Sequence, residues 1–199
     1  MVMVQRQPKN PAKPRLGAQD WADAALTAMR EGGLAAVAVE PLAARLKTTK
    51  GSFYWHFANR DALVEAALAR WAETETEGMI TAVEAEPGAE RKLRLLLTEA
   101  VRSASFDPLE VSLLATADDP RVAPVLRRVT ERRVAYVASL FEELGFAPAE
   151  AHRRGLLSYS AYLGHTQLAH AVPSALPAGE DLDAYLDSVI TPLLRPGIG

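Results

Sequence analysis

The sequence predicts an all-α protein of about nine helices. Three observations carry this. Apolar residues recur at three- and four-residue spacing along most of the 199-residue chain, no segment alternates convincingly as a strand, and Ala and Leu, both strong helix formers, dominate the composition. Apolar residues make up 49% and charged residues 24%, ordinary values for a globular chain long enough to bury a real core.

Taken in order, residues 1–16 carry Pro8, Pro11 and Pro14 among basic residues and read as a flexible basic arm. The first helix starts at Gly17, keeps Trp21, Ala24, Ala25, Leu26 and Met29 on one face, and stops at Gly32-Gly33. Pro41 to Leu46 is a short second helix, with proline in its tolerated first turn. Lys47-Thr48-Thr49 is a turn, and Thr49 caps a third helix from Lys50 to about Phe57. Asn59 caps a long fourth helix, in which Leu63, Ala67 and Trp71 recur at four-residue steps. It runs to about Glu84, where Glu86-Pro87-Gly88 breaks it.

The fifth and sixth helices span Arg91 to Ser105 and Leu109 to Ala117. Asp118-Asp119-Pro120 then reads as the capped start of a seventh, running to about Leu144. The eighth spans Ala149 to Ala171. The ninth holds Leu182, Tyr185, Leu186, Val189, Ile190, Leu193 and Leu194 in a wide apolar stripe, more than one partner helix would cover. Small residues in the eighth (Gly155, Ser158, Ala161 and Gly164) permit close helix contact and fit a dimer seam.

Charge divides the chain. Residues 1–60 hold nine Lys or Arg against four acids, while the remainder holds 13 against 21. A basic first third on an acidic body suggests that only the first third meets a polyanion. The absence of Cys excludes a disulfide scaffold, a Cys-ligated zinc site and a thiol nucleophile. No secretory leader or membrane-length apolar run is visible, so the expected location is cytoplasmic. An enzyme would need a convergent polar constellation, and the sequence offers no phosphate loop, His–acid pairing or nucleophile motif. No cofactor is expected. His165 and His170, five apart, fall on different helix faces, and His56 has no partner at ligand spacing, so no metal site is expected.

Leu42 and Leu46 face inward on the second helix, and Phe53 and Phe57 do so on the third. The opposite face then carries Lys50, Gly51, Ser52, Tyr54 and Trp55, a surface that an isolated core would not choose. A recognition helix entering the major groove N-terminus first gives it a reason. Lys50 can donate to guanine, Gly51 permits close approach, and Ser52, Tyr54 and His56 carry donors for phosphate or base edges. Arg60 adds a cation beside the free N–H groups of the next helix.

The stretch Thr49-Lys50-Gly51-Ser52-Phe53-Tyr54-Trp55-His56-Phe57-Ala58-Asn59-Arg60-Asp61-Ala62-Leu63 resembles the signature of TetR-family transcriptional regulators. The resemblance is sharp over Trp21 to Leu63 and beyond that rests on size and helix count. It implies a helix-turn-helix DNA-binding domain at 17–60 and a ligand-binding and dimerisation domain at 61–199. It places Thr49, Lys50, Gly51, Ser52, Tyr54, Trp55, His56 and Arg60 on DNA-contacting positions, and Lys47 and Thr48 of the adjoining turn complete the expected DNA-binding set. The implied partners are operator DNA, a small-molecule effector and a second copy joined through the last two helices. The implied role is a repressor released from a palindromic operator. Two departures stand out. Lys47 replaces the usual glycine of the turn, so a left-handed backbone there would strain it. Ala38 and Val39 replace the usual Ser or Thr before the second helix, removing a cap.

In the body, Trp71, Phe106, Tyr136, Tyr159, Tyr162, His165 and Gln167 are candidate ligand contacts by residue type, with ordinary core as the competing reading.

Overall fold

The computed structural model describes residues 16–104 and 106–195, and the basic arm assigned to 1–16 lies outside them except for Leu16. Nine helices are seen among the described residues, with no strand. None is long and apolar enough to cross a membrane.

Helix α1 (Ala18–Gly32) opens with the Asp20 carboxylate accepting from the Gly17 N–H at 2.7 Å. It closes where the Gly33 N–H, at φ 67°, reaches the Met29 carbonyl. A 3₁₀ turn (Leu34–Ala36) leads to α2 (Val39–Arg45), whose N-cap Ala38 supplies no side-chain bond, as its residue type dictates. Helix α3 (Lys50–Tyr54) is one turn shorter than expected, because Trp55 and His56 continue only as a turn. Its cap is Thr49, whose Oγ1 accepts from the Ser52 N–H at 3.3 Å.

Helix α4 covers residues 60–84. It is α-helical over Arg60–Ala72, widens to a π-helix over Glu73–Gly78, and returns to α over Met79–Glu84. Asn59 Oδ1 caps it by accepting from the Ala62 N–H at 2.9 Å. Then follow α5 (Ala89–Ser103), α6 (Leu109–Ala115), α7 (Ala123–Glu143), α8 (Pro148–Ala171) and α9 (Glu180–Leu193). The start of α7 corrects the sequence reading. Asp119 does not cap that helix but accepts from the Arg121 backbone N–H and guanidinium, in a turn that ends before Ala123. These bonds hold the Asp119 carboxyl down at about 2. Arg121 also reaches Asp61 at the start of α4, tying this turn to the end of the recognition segment.

Two cores form. The first gathers α1 to α3 around Trp21, Met29, Leu42 and Phe53. It continues into Leu63, Leu68 and Trp71 of α4, Leu109 and Leu113 of α6, and Leu126 of α7. The second joins Val83 and Leu93 to Leu140, Phe141, Leu186 and Ile190. The closest helix contact is α7 on α8. A Cβ at Gly155 would stand 2.8 Å from the Val134 carbonyl, so only glycine fits. This divides the proposed small-residue seam. Gly155 and Ser158 are buried within the chain, whereas Ala161 and Gly164 are exposed.

Candidate nucleic-acid interface and inner cavity

The turn between α2 and α3 is a Schellman closure. The Thr48 N–H reaches the Ala43 carbonyl at 2.9 Å and the Lys47 N–H reaches Ala44 at 3.1 Å. That geometry puts Lys47 at φ 53°, the left-handed conformation that glycine adopts freely. Among the described residues it is the single non-glycine with positive φ. Lys47→Gly is expected to raise stability by about 1 kcal/mol. Thermal melts check this; a lower melting temperature would show that the lysine side chain contributes more than its backbone costs.

Phe53 fixes α3. It is fully buried, edge-on to Trp21 at 5.3 Å and stacked on Phe57 at 5.7 Å. With those positions turned inward, the opposite face is open. Trp55 is 87% exposed and Tyr54 56%. Lys47, Thr49, Lys50, Gly51 and His56 are exposed with them, and Thr48 and Ser52 are half-buried. Lys50 Nζ donates to Glu40 Oε1 at 2.7 Å, a solvent-facing pair that holds the ammonium pKa above its usual range. Such exposed pairs exchange partners at little cost, so a phosphate or base can replace Glu40.

Arg60 differs from the rest of the set. Its Nε donates to the Val37 carbonyl at 2.6 Å and its Nη2 to the Leu34 carbonyl at 2.5 Å. The guanidinium thus binds the carbonyls of Leu34 and Val37, which flank the 3₁₀ turn, and fastens α4 to the helix-turn-helix. This positions the recognition segment from behind rather than offering a free cation to phosphate.

In the body, a cavity of about 260 Å³ opens between α4, α5, α6, α7 and α8. Met79, Ile80, Leu96, Leu97 and Val137 supply apolar wall. Of the candidate contacts, Trp71, Phe106, Tyr136, Tyr159 and Tyr162 line it. His165 and Gln167 do not. His165 bridges the Ala161 carbonyl and the Tyr185 hydroxyl (2.8 Å), tying α8 to α9, and Gln167 is exposed.

The inner end of the cavity is a polar network that residue type did not flag. Arg133 Nη1 donates to both Glu110 oxygens at 3.0 Å, and its Nε donates to Thr76 Oγ1 at 3.0 Å. The Tyr159 and Tyr162 hydroxyls donate to the same carboxylate at 3.1 and 2.8 Å. Trp71, Tyr159 and Tyr162 surround the guanidinium at 5.7 to 6.0 Å from their ring centres, in the range of cation–π attraction. Burial alone would lower the Arg133 pKa, but Glu110 and the tyrosines more than offset it. Burial, then Glu110, raises Tyr162. One signal was available. Glu110 is the single charged residue in α6, LEVSLLA, whose other residues are apolar except Ser112. Nothing distinguished Arg133 from its basic neighbours Arg127, Arg128 and Arg132.

The cavity also connects to α1. Asp107 lines it, and its Oδ2 accepts from Arg30 Nε and Nη2 of α1 at 2.9 and 2.6 Å. Asp107 Oδ1 simultaneously caps α6 by accepting from the Leu109 N–H at 2.9 Å.

A short solvent-facing helix held by its apolar side behind a Schellman turn defines a helix-turn-helix, carried on a helical body with an inner cavity. Residues 22–67, the segment that holds the helix-turn-helix, match the model of bacterial regulatory proteins of the tetR family. Solved structures similar in fold cover nearly the whole chain. A transcriptional regulator from Rhodococcus sp. Rha1 aligns with TM-score 0.73 and 21% identity, over 90% of this chain and 96% of its own. SCO4454, a TetR-family transcriptional regulator from Streptomyces coelicolor, gives 0.66 and 18%, over 89% and 88%. The transcriptional regulator FadR from Bacillus subtilis, solved with stearoyl-CoA, gives 0.61 and 15%, over 88% and 97%. At these identities the likeness is one of fold. No curated protein matches the chain in sequence.

Proposed function

We propose that this protein is a homodimeric repressor that leaves a palindromic operator when a small molecule enters the cavity. The observation that carries the reading is Asp107, one residue that lines the cavity and holds Arg30 of the DNA-binding domain. A molecule that shifts the α5–α6 connection therefore moves α1, and α4 continues from the recognition segment to Trp71 at the cavity wall. Effector and operator then weaken each other by the same factor. The residues proposed to meet DNA are Lys47, Thr48, Thr49, Lys50, Gly51, Ser52, Tyr54, Trp55 and His56.

The homodimer reading is supported by an uncovered apolar stripe. Leu157, Ala161, Gly164 and Leu168 of α8 fall on one helix face and are all exposed, with Val172 just beyond and Val189 exposed on α9. Leu157→Glu with Leu168→Glu is expected to yield a folded monomer with at least tenfold weaker operator binding. Sedimentation and a DNA titration read this. A variant that remains dimeric would move the interface elsewhere.

The test of function is selection of operators from a random duplex pool, followed by titration of the winner at two salt concentrations. One enriched palindrome, with affinity falling steeply as salt rises, supports the reading. No enriched sequence from the intact protein would count against it. Compounds are then screened for release of that operator. The Asp107→Asn variant is expected to bind the operator as the parent does, yet to respond at least fivefold less to any releasing compound. Undiminished release would place the coupling outside this contact.

A further inference from the structure

The charged groups that line the cavity are three carboxylates (Glu75, Asp107 and Glu110) and one guanidinium, Arg133. Their partners differ. Glu110 is side-chain buried (6% exposed) and saturated by Arg133 and two tyrosine hydroxyls. Asp107 is saturated by Arg30 and the Leu109 N–H. Arg133 is committed to Glu110 and Thr76. Of these three carboxylates, only that of Glu75, which is solvent-exposed, has neither an ion pair nor a hydrogen-bond donor; its backbone carbonyl accepts from Arg133 Nη2 at 3.4 Å. It sits in the π-helical stretch of α4, a local widening often found at functional sites. Desolvation first, and Asp107 next, raise the pKa of its carboxyl. The same interior already encloses a guanidinium among three aromatic rings, so its walls suit a cation.

An anion entering here would meet an uncompensated carboxylate and no free cation. A neutral ligand would bury Glu75 against it unpaired, which is costly. A cation would supply the missing partner while its apolar body met Met79, Ile80, Leu96 and Val137. We infer that the effector is a compact lipophilic cation, an amine or quaternary ammonium on an apolar body, with Glu75 as its counter-ion. The inference rests on the ligand-responsive reading above. About 260 Å³ holds a molecule equal in volume to roughly nine waters, so the body is small.

Three probes of matched shape test it on the full-length protein by calorimetric titration: benzyltrimethylammonium, neopentylbenzene and phenylmethanesulfonate. The cation is expected to bind at least tenfold more tightly than either of the others. Glu75→Gln is expected to reduce the cation to the affinity of the neutral probe and to tighten the neutral probe, which no longer buries an unpaired charge. The ammonium does not titrate, so any pH dependence belongs to the protein. Asp107, Arg30, Arg133 and Glu110 face Glu75 from the α5–α6 connection, α1, α7 and α6. Asp107 and Glu110 favour its protonated form, and the two arginines oppose them. As pH falls through its raised pKa, the cation should lose affinity in the parent and not in Glu75→Gln. Equal or tighter binding of the neutral or anionic probe, indifference to Glu75→Gln, or no binding of the cation would overturn the proposal. Neutral-probe binding that Ala100→Trp blocks would keep the cavity as a ligand site while removing the cation preference. Cation binding that Ala100→Trp leaves intact would put the site outside the cavity and overturn both.

Discussion

Phe53→Ala is expected to cost about 3–5 kcal/mol and to abolish operator binding. The recognition helix α3 has only five residues, too few to persist in water without tertiary support. Phe53 provides that support through Trp21 and Phe57. Truncation leaves a cavity beneath the helix and frees the side chains proposed to meet DNA from their common frame. The second core, around Leu140, Phe141, Leu186 and Ile190, does not include Phe53. The body should therefore keep its helices when the DNA-binding end loosens. Circular dichroism melts and an operator titration check this. Operator affinity within threefold of the parent would show that α3 is held by something other than Phe53.

Glu110→Ala is expected to destabilise the protein by a similar amount, about 3–5 kcal/mol, since removing one member of a buried pair strands the other. Arg133 cannot neutralise itself by releasing a proton, and it is 15% exposed. The Tyr159 and Tyr162 hydroxyls lose their acceptor in the same step. Removing both charges with Glu110→Leu and Arg133→Met should recover most of the loss, because apolar residues of similar volume replace buried pairs at little net cost. Denaturant titrations of the single and double variants form the check. A double variant no more stable than Glu110→Ala would mean that Arg133 stabilises mainly through Thr76 and the aromatic rings. The two changes report on different ends of the molecule. Phe53 governs whether α3 exists, and Glu110 governs whether the cavity keeps its inner wall.

By itself the sequence determined the elements and the exposed face of α3. Those depend on local periodicity and caps: Thr49 and Asn59 begin their helices as their side chains dictate, and Phe53 and Phe57 turn inward at four-residue spacing. The strain at Lys47 was legible through the family resemblance, which puts glycine at that turn position, and the backbone there is left-handed. Tertiary structure alone decided the partners of charged residues far apart in the chain. Arg60 serves as a clamp on Leu34 and Val37, Asp119 holds Arg121 instead of capping α7, and Glu110 meets Arg133 at the head of the cavity. It also sorted the aromatics, taking Tyr159 and Tyr162 into the cavity and leaving His165 to join α8 and α9. A helix periodicity states which face a residue occupies, not which of several helices that face will meet. Packing among α4 to α9 settles the second question, and every unpaired or paired charge in the cavity follows from it.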